Sequence, residues 1–502
     1  MLMLLVFVAG TGSMATEIGA SRLLAPYFGS STIVWANIIG LILASLSLGY
    51  VLGGRLADRR PSPPVLGAVV LAGALLVAAV PFAARPFLDL SVRALDALST
   101  GAMVGSFFAA LILFAPPVTL LGMVTPFAIR LAVTDVAVAG RIAGRVFALS
   151  TVGSLLGTFV PALLTIPLIG TQRTLLGAAA LIALAAAPLV GRRWLLVALL
   201  PAALLAAPPG LIKPRADLVF ERESRYQFIQ VVGDAGSHYL YLNEGYAVHS
   251  EWHADSVLTG GEWDMFLTAP PLLGHPVERV AILGNAGGTT ARAFGVYYPT
   301  ATIDAVEIDP AVTAAGDAYF GLGDNPQVTV HTADARPFLR GTDERYDLIL
   351  IDAYRQPYVP FYLATREFFE LCRQRLRPGG LVALNISTVP DDHRLAGDIA
   401  GTLASVFPQV VTWQALRFNQ FVVGLDAPAT PAVLRARLLA GPRALLPLTR
   451  LFAADYAVAA PATRPWTDDR APVEWITDRM IVAYAVRGAV QQEDPLPTAP
   501  RP

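Results

Sequence analysis

Four polar features in the second half of this chain fall at the ends of four apolar runs, and together they could hold a nucleoside. The run VAIL ends in Gly284-Asn285-Ala286-Gly287-Gly288, where Gly284, Gly287 and Gly288 carry no side chain to keep a ligand off the backbone. The next run ends in Glu307, about 20 residues after the glycine turn, the place at which an acid takes the two hydroxyls of a ribose. Asp334 closes the third run and can accept from an exocyclic amine; Asp352 closes the fourth. Packing alone explains a glycine turn but not three acids at successive strand ends. The turn reads G-x-x-G-G, neither the G-x-G-x-x-G of dinucleotide sites nor the G-x-x-x-x-G-K-[ST] of phosphate loops, and no lysine follows it. Such a turn suits an adenosyl ligand without phosphates, S-adenosylmethionine or its decarboxylated form.

These residues need rigid elements beneath them. ERVAILG (278–284) reads as a buried strand and TARAFGVYY (290–298) as a helix; ATIDAVEID (301–309), QVTVHTADA (327–335), YDLILIDAY (346–354) and LVALNIS (381–387) read as further strands. AVTAAGDAYF (311–320) and TREFFELCRQRL (365–376) are the helices between them. Strands alternating with helices predict a doubly wound, mostly parallel sheet over 278–490, whose ligands bind outside the carboxyl ends of its strands. Before it, YQFIQVV (226–232) and HYLYLN (238–243) alternate around the turn GDAGS, predicting a β-hairpin within a small β-rich element, 218–277.

The first half belongs to another solvent. The chain is 54% hydrophobic and 15% charged, far from soluble averages, and the apolar residues concentrate in residues 1–208. Runs near 2–24, 32–54, 64–84, 102–129, 144–168 and 172–190 are long enough to cross about 30 Å of hydrocarbon. They predict a helical bundle in a lipid bilayer. A shorter run, 194–208, contains Pro201 and reads as interfacial or re-entrant rather than as a seventh span. Gly49 with Gly53, and Gly153 with Gly157, have the spacing that lets helices approach closely. Arg55, Arg59 and Arg60, then Arg130, Arg141 and Arg145, then Arg192 and Arg193 mark cytoplasmic connections, which places 218–490 on the cytoplasmic face of the cell (inner) membrane. Residues 209–217 form a linker and 491–502 a disordered tail. Glu17 and Arg22 lie in or near the first span, where charge is costly. The net charge of −1 offers no field for nucleic acid, and the single cysteine, Cys372, excludes a disulfide framework.

The order ILGNAGG, VEIDP, DA, YDLILIDAY, PFYLATREFF, LRPGGLVALN resembles that of the spermidine synthase (polyamine aminopropyltransferase) family of the class I methyltransferase fold. With the multispan N-terminus and WTDDRAPVEW (466–475), the chain looks like the membrane-fused branch of spermidine synthase-like proteins. The resemblance implies that Glu307 binds ribose, that Asp334 with Ala335 holds adenine, and that 284–288 face the donor's sulfonium. It also implies that the hairpin, including Tyr226 and Gln227, lies over an active site. The implied reaction moves an aminopropyl group from decarboxylated S-adenosylmethionine to putrescine or another amine.

Two departures bear on that reaction. The family turn G-G-G-D-G-G has Ala286 at its acidic position, and the second acid of D-x-x-D after Asp352 is Arg355. An arginine cannot serve as a general base. Replacement acids are Asp468, Asp469 and Glu474 in WTDDRAPVEW, with Glu251 and Asp255 as further candidates; Tyr354, Tyr358 and Tyr362 could line an acceptor pocket. His249 and His253 in HSEWHAD have an i, i+4 spacing, but the segment reads as a polar loop and no metal is expected. Methyl transfer from S-adenosylmethionine is one alternative; another is a transporter or sensor with a non-catalytic nucleoside site. A homodimer is a further expectation.

Overall fold

The computed structural model describes residues 1–29, 32–95, 101–245, 247–355 and 358–486; the expected tail at 491–502 lies outside them. The chain divides into two units. One holds Met1–Arg215 with Glu221–Phe228 and Asn243–Gly245, the other Ala216–Phe220, Ile229–Leu242 and the rest. The expected boundary at the linker is therefore interleaved, because parts of the small β element group with the helices.

Five segments of the helical unit are long and apolar enough to cross a membrane: Leu2–Phe28, Ile33–Arg59, Pro63–Leu88, Val104–Ala132 and Val136–Val190. This is a multi-pass membrane protein. The fifth segment has 55 residues, too many for one traverse of about 30 Å, and it breaks at Gly170 (φ 82, ψ 165). Glycine contacts show what the break does. Gly153 and Gly157 meet the carbonyls of Phe7 and Thr11, so the helix Ala139–Val160 runs parallel to Leu2–Phe28. Gly12 and Gly19 meet Ile182 and Leu175, so the helix after Gly170 runs antiparallel to it. The chain reverses at Gly170, so this fifth segment holds two helices that run in opposite directions.

The paired glycines are needed. A Cβ on Gly153 or Gly157 would stand 2.1 Å from those carbonyl oxygens, and one on Gly49 would stand 2.3 Å from Thr119 O. Only glycine permits helices to cross at that distance. Beyond the last traverse, Leu195–Leu204 has ten residues, about 15 Å of helix, and does not span. Glu223 accepts from Thr171 N (2.7 Å) and Thr171 Oγ1, capping the helix that restarts after Gly170. Arg22 donates to the carbonyls of Ser224 and Arg225.

The small sheet is antiparallel: β1 (Leu218–Glu223), β2 (Phe228–Asp234), β3 (Ser237–Leu242) and β4 (Val248–His253) in that order. The hairpin falls where alternation placed it, closed by Ala235 and Gly236, both at positive φ. HSEWHAD is not a loop: its first five residues lie in β4, paired with β3. Ile229, Val231, Leu240 and Leu242 pack on Val312, Ala315 and Phe320.

The large sheet has eight strands: β5 (Arg279–Leu283), β6 (Thr302–Glu307), β7 (Val328–Thr332), β8 (Tyr346–Ile351), β9 (Leu376–Ser387), β10 (Gln409–Gln414), β11 (Asn419–Leu425) and β12 (Tyr456–Val458). Their order is β12-β10-β11-β9-β8-β5-β6-β7. The five strands β9-β8-β5-β6-β7 are parallel, and β10, β11 and β12 add an antiparallel wing that periodicity did not reveal. Alternate residues feed two cores. Val280, Ile282, Leu348 and Leu350 enter one face; Ala281, Leu283, Ile349 and Ile351 enter the other. From β5 the chain winds outward through β6 and β7, then returns to β8 on the other side of β5. That places a topological switch point between β5 and β8.

Candidate active site

The glycine turn hangs from the carboxyl end of β5. The amides of Gly284 and Asn285 both donate to Val306 O, at 2.9 and 3.0 Å, tying the turn to the end of β6. Gly287 N donates to Ser250 Oγ (2.8 Å), and Thr289 Oγ1 bonds both the amide and the carbonyl of Glu251, so β4 is bound to the turn as well. The glycines themselves answer to the protein's own packing. A Cβ on Gly284 would lie 2.5 Å from Ala353 Cα and Asp352 O, one on Gly288 2.7 Å from Leu322 Cδ1, and one on Gly287 3.0 Å from the Ser250 side chain. Close approach of the β8 end at Gly284, of β4 at Gly287 and of the Leu322–Asp324 turn at Gly288 leaves no room for a side chain at any of the three.

Glu307 closes β6. One carboxylate oxygen accepts from Ala286 N (3.0 Å) and the other from Asp309 N (3.0 Å). Burial pushes this carboxyl up to about 7, against those bonds, which lower it. The Ile308 amide also acts on this carboxylate, so three backbone donors hold it, and of its four lone-pair directions one is left for a ribose hydroxyl. Asp334 caps the helix Ala335–Gly341 through Arg336 N (3.1 Å), and its other oxygen accepts from Tyr362 Oη (2.8 Å). An incoming amine at Asp334 must therefore displace or share the Tyr362 hydroxyl. Ala335 is the first residue of that helix.

Asp352 stands at the end of β8, across the switch point from Gly284, with its amide bonded to Leu283 O (2.9 Å). Its Oδ1 accepts from Asn385 Nδ2 (3.0 Å), and burial pushes its carboxyl up to about 6. Part of its surface is accessible. Glu307, Asp352 and the glycine turn are thus gathered around the ends of the neighbouring strands β6, β5 and β8.

Other expected residues are placed differently. Asp468 accepts from both terminal nitrogens of Arg336 (2.7 and 2.6 Å) and from Thr365 Oγ1 (2.8 Å), and Arg336 holds its carboxyl below the usual carboxylate range. That is the setting of a structural ion pair, a poor one for a general base. Asp469 is exposed at the tip of a turn closed by Thr467 and Arg470, and Glu474 is exposed in the first turn of Val473–Val486. Tyr354 Oη donates to Asn385 O (2.7 Å) and accepts from Ser387 N (2.9 Å), so the hydroxyl latches β9. Tyr358 Oη bonds Asp478, and Arg355 is exposed. Tyr226 is exposed and Gln227 part-buried, in a turn whose amides both donate to Ser224 Oγ (3.0 Å). They fall in the helical unit of the chain. Glu251 bonds His253 Nε2 (3.2 Å), and burial raises its carboxyl; Asp255 is exposed.

Residues not singled out by sequence complete the picture. Asn385 is buried and bridges Asp352 to Asn419, whose Nδ2 donates to Asn385 Oδ1 (2.9 Å). Its signal was a lone amide near the end of the apolar run LVALNIS. Asn285, 5% exposed, has neither amide atom hydrogen-bonded among the described residues. Arg336, the partner of Asp468, is 132 residues away in sequence, and nothing local announces it.

The α/β unit, with its small antiparallel sheet and its switch point, is a methyltransferase-like fold, fused here to apolar helices. Residues 264–416 match the Spermine/spermidine synthase domain, a family-level match to polyamine aminopropyltransferases and spermidine synthases. The chain is 35% identical over 193 residues to the "Probable polyamine aminopropyl transferase" of Bifidobacterium longum, covering 38% of this chain and 42% of that protein. It is 37% identical over 147 residues to the "Polyamine aminopropyltransferase" of Vibrio vulnificus, covering 28% and 48%. It thus spans about half the length of these curated relatives. Among solved structures, a probable spermidine synthase from Corynebacterium glutamicum aligns over 51% of this chain and 99% of its own, at 21% identity and a TM-score of 0.39.

Proposed function

We propose that this protein is a membrane-bound aminopropyltransferase that uses decarboxylated S-adenosylmethionine and a small amine such as putrescine. The observation that carries this reading is the pairing of Glu307 and Asp352 across the switch point, inside the segment that matches the family. Glu307 takes the ribose, Asp334 and Ala335 the adenine edge, and the turn from Gly284 to Gly288 passes beside the sulfonium. The amine nitrogen attacks the propyl carbon bound to sulfur. The C–S bond breaks with its electron pair going to sulfur, which leaves as methylthioadenosine, and the ammonium formed gives its proton to Asp352. A carboxyl that burial pushes up to about 6 and that is partly accessible suits that role better than Asp468, whose carboxyl Arg336 holds below the usual range. Exposure of Arg355 leaves room for a cationic acceptor. The α/β unit faces the cytoplasm in this reading, where the donor is made.

One observation favours methyl transfer from S-adenosylmethionine as a second reading. The buried Asn285 amide, unbonded among the described residues and next to Ala286, can donate to a carboxylate tail that an acid would repel. Calorimetric titration of the detergent-solubilised protein with both donors separates the two. Preference for the decarboxylated form, with methylthioadenosine produced from an amine, supports aminopropyl transfer; preference for the carboxylated form overturns it.

A further inference from the structure

Two side-chain amides stand in line behind Asp352. Asn385 Nδ2 donates to Asp352 Oδ1 at 3.0 Å, and Asn419 Nδ2 donates to Asn385 Oδ1 at 2.9 Å. The chemistry fixes the direction of the line. An ionised carboxylate only accepts, so Asn385 must turn its NH2 toward Asp352, which points its carbonyl back at a donor. Asn419 supplies that donor.

Strand register builds the line from three strands. Ile351 pairs with Leu384 between the parallel strands β8 and β9, which sets Asp352 beside Asn385. Asn385 pairs with Phe421 and Ser387 with Asn419 between β9 and β11, so Asn385 and Asn419 are diagonal neighbours on one face. The backbone beneath is pinned as well, since the Tyr354 hydroxyl bridges Asn385 O and Ser387 N. Asn385 is 5% exposed, and a buried amide without partners is costly; here both ends of the amide are matched. Asp352 Oδ2, by contrast, makes no hydrogen bond among the described residues.

We infer that Asn385, oriented by Asn419, is a positioning residue that holds one oxygen of Asp352 and leaves the other free to receive the proton of the attacking amine. The proton-transfer part rests on the aminopropyltransferase reading; the holding part rests on the geometry alone. A neutral amide suits the task because it orients the carboxylate with no proton of its own to lose. Among the described residues, the titratable groups shown to act on this cluster are Tyr354, whose hydroxyl is engaged at both lone pair and proton, and Glu262, which acts on Tyr354 together with Asp352. Neither is a cation. Asn385 is therefore what opposes the upward push of burial on Asp352.

The test follows the Asp352 carboxyl itself in the solubilised full chain, by difference infrared or carbon-13 resonance, assigned by its disappearance in Asp352→Asn. Asn385→Ala should move its titration midpoint up by about one pH unit, since a lost hydrogen bond to the ionised form favours protonation. Asn419→Ala should move it the same way by less. Where turnover is measured, the acid limb of the kcat profile should move with the midpoint, which a merely structural role would not produce. Methylthioadenosine affinity within about threefold of wild type certifies the fold of each variant, on the scale where tenfold is 1.4 kcal/mol. Should Asn385→Ala not fold, Asn419→Ala decides alone. An unmoved midpoint in a folded variant overturns the inference, whereas a moved midpoint without any aminopropyl transfer in the wild type overturns the reaction and leaves the positioning intact.

Discussion

Glu307→Gln tests the donor site through its pH dependence. Burial pushes the Glu307 carboxyl up to about 7, so it is mostly ionised at pH 8 and mostly protonated at pH 6. The ionised form is the better acceptor for a ribose hydroxyl, so ligand binding should release a proton and strengthen as pH rises through 7. Glutamine keeps one acceptor oxygen. It can serve Ala286 N or Asp309 N but not both, and its NH2 then faces a backbone donor. Losing charge-assisted bonds of this kind costs about 1–3 kcal/mol, or about 5- to 150-fold in affinity at pH 8. The variant has no proton to lose, so its deficit should shrink about tenfold between pH 8 and pH 6. Methylthioadenosine is the right calorimetric probe, because it carries the ribose without a charged tail that would report on Asp352. The same raised value predicts that the ligand-free fold loses stability as pH rises from about 4.5 to 7, since the folded carboxyl holds its proton more tightly than the unfolded one. An unchanged affinity at pH 8, or a deficit equal at both pH values, would refute Glu307 as the ribose ligand.

Gly284→Ala places a Cβ 2.5 Å from the Asp352–Ala353 backbone at φ +89, which should cost about 2–4 kcal/mol and lower the melting temperature of the α/β unit on the order of 10 °C; melting within 2 °C of wild type, about the effect of 1 kcal/mol or less, would contradict the close-packing account of this glycine. Gly157→Leu should break the crossing with Leu2–Phe28, seen as lost resistance to thermal aggregation in detergent, whereas Gly140→Leu, which meets nothing within 4 Å, should be neutral. Replacing Asp468 and Asp469 together by Asn should cost about 1 kcal/mol of stability, given that Asp468 is 44% exposed, and leave turnover within about tenfold. A fall of 10²-fold or more with donor binding intact, the effect of losing a general base, would return that role to this segment.

How much of this could be read from residues alone divides along physical lines. The parallel strands were legible because burial on both faces produces continuous apolar runs, and the acids that end them stand out against that background. The traverses were legible for the same reason, and even the reversal at Gly170 fell between two expected spans. The paired glycines stand at close helix crossings, a property of a partner helix that spacing only hints at. The antiparallel wing was missed because QVVTWQ and NQFVVGL are short and follow the motif-bearing strands without motifs of their own. HSEWHAD was misread because its polar side chains bond within β4 and to Ser237, so polarity did not signal a loop. The roles of Asp468, Tyr354 and Asn385 depend on partners 31 to 132 residues away, and no local pattern carries that information.

Production of methylthioadenosine tests the central claim most directly. Full-length protein in detergent or nanodiscs, supplied with decarboxylated S-adenosylmethionine and a panel of amines including putrescine, should release methylthioadenosine together with an equal amount of aminopropylated amine. Asp352→Asn should lower that rate about 10²- to 10⁴-fold while keeping the adenosyl ligand bound. No methylthioadenosine from any amine at saturating donor would contradict the account, as would full activity in Asp352→Asn.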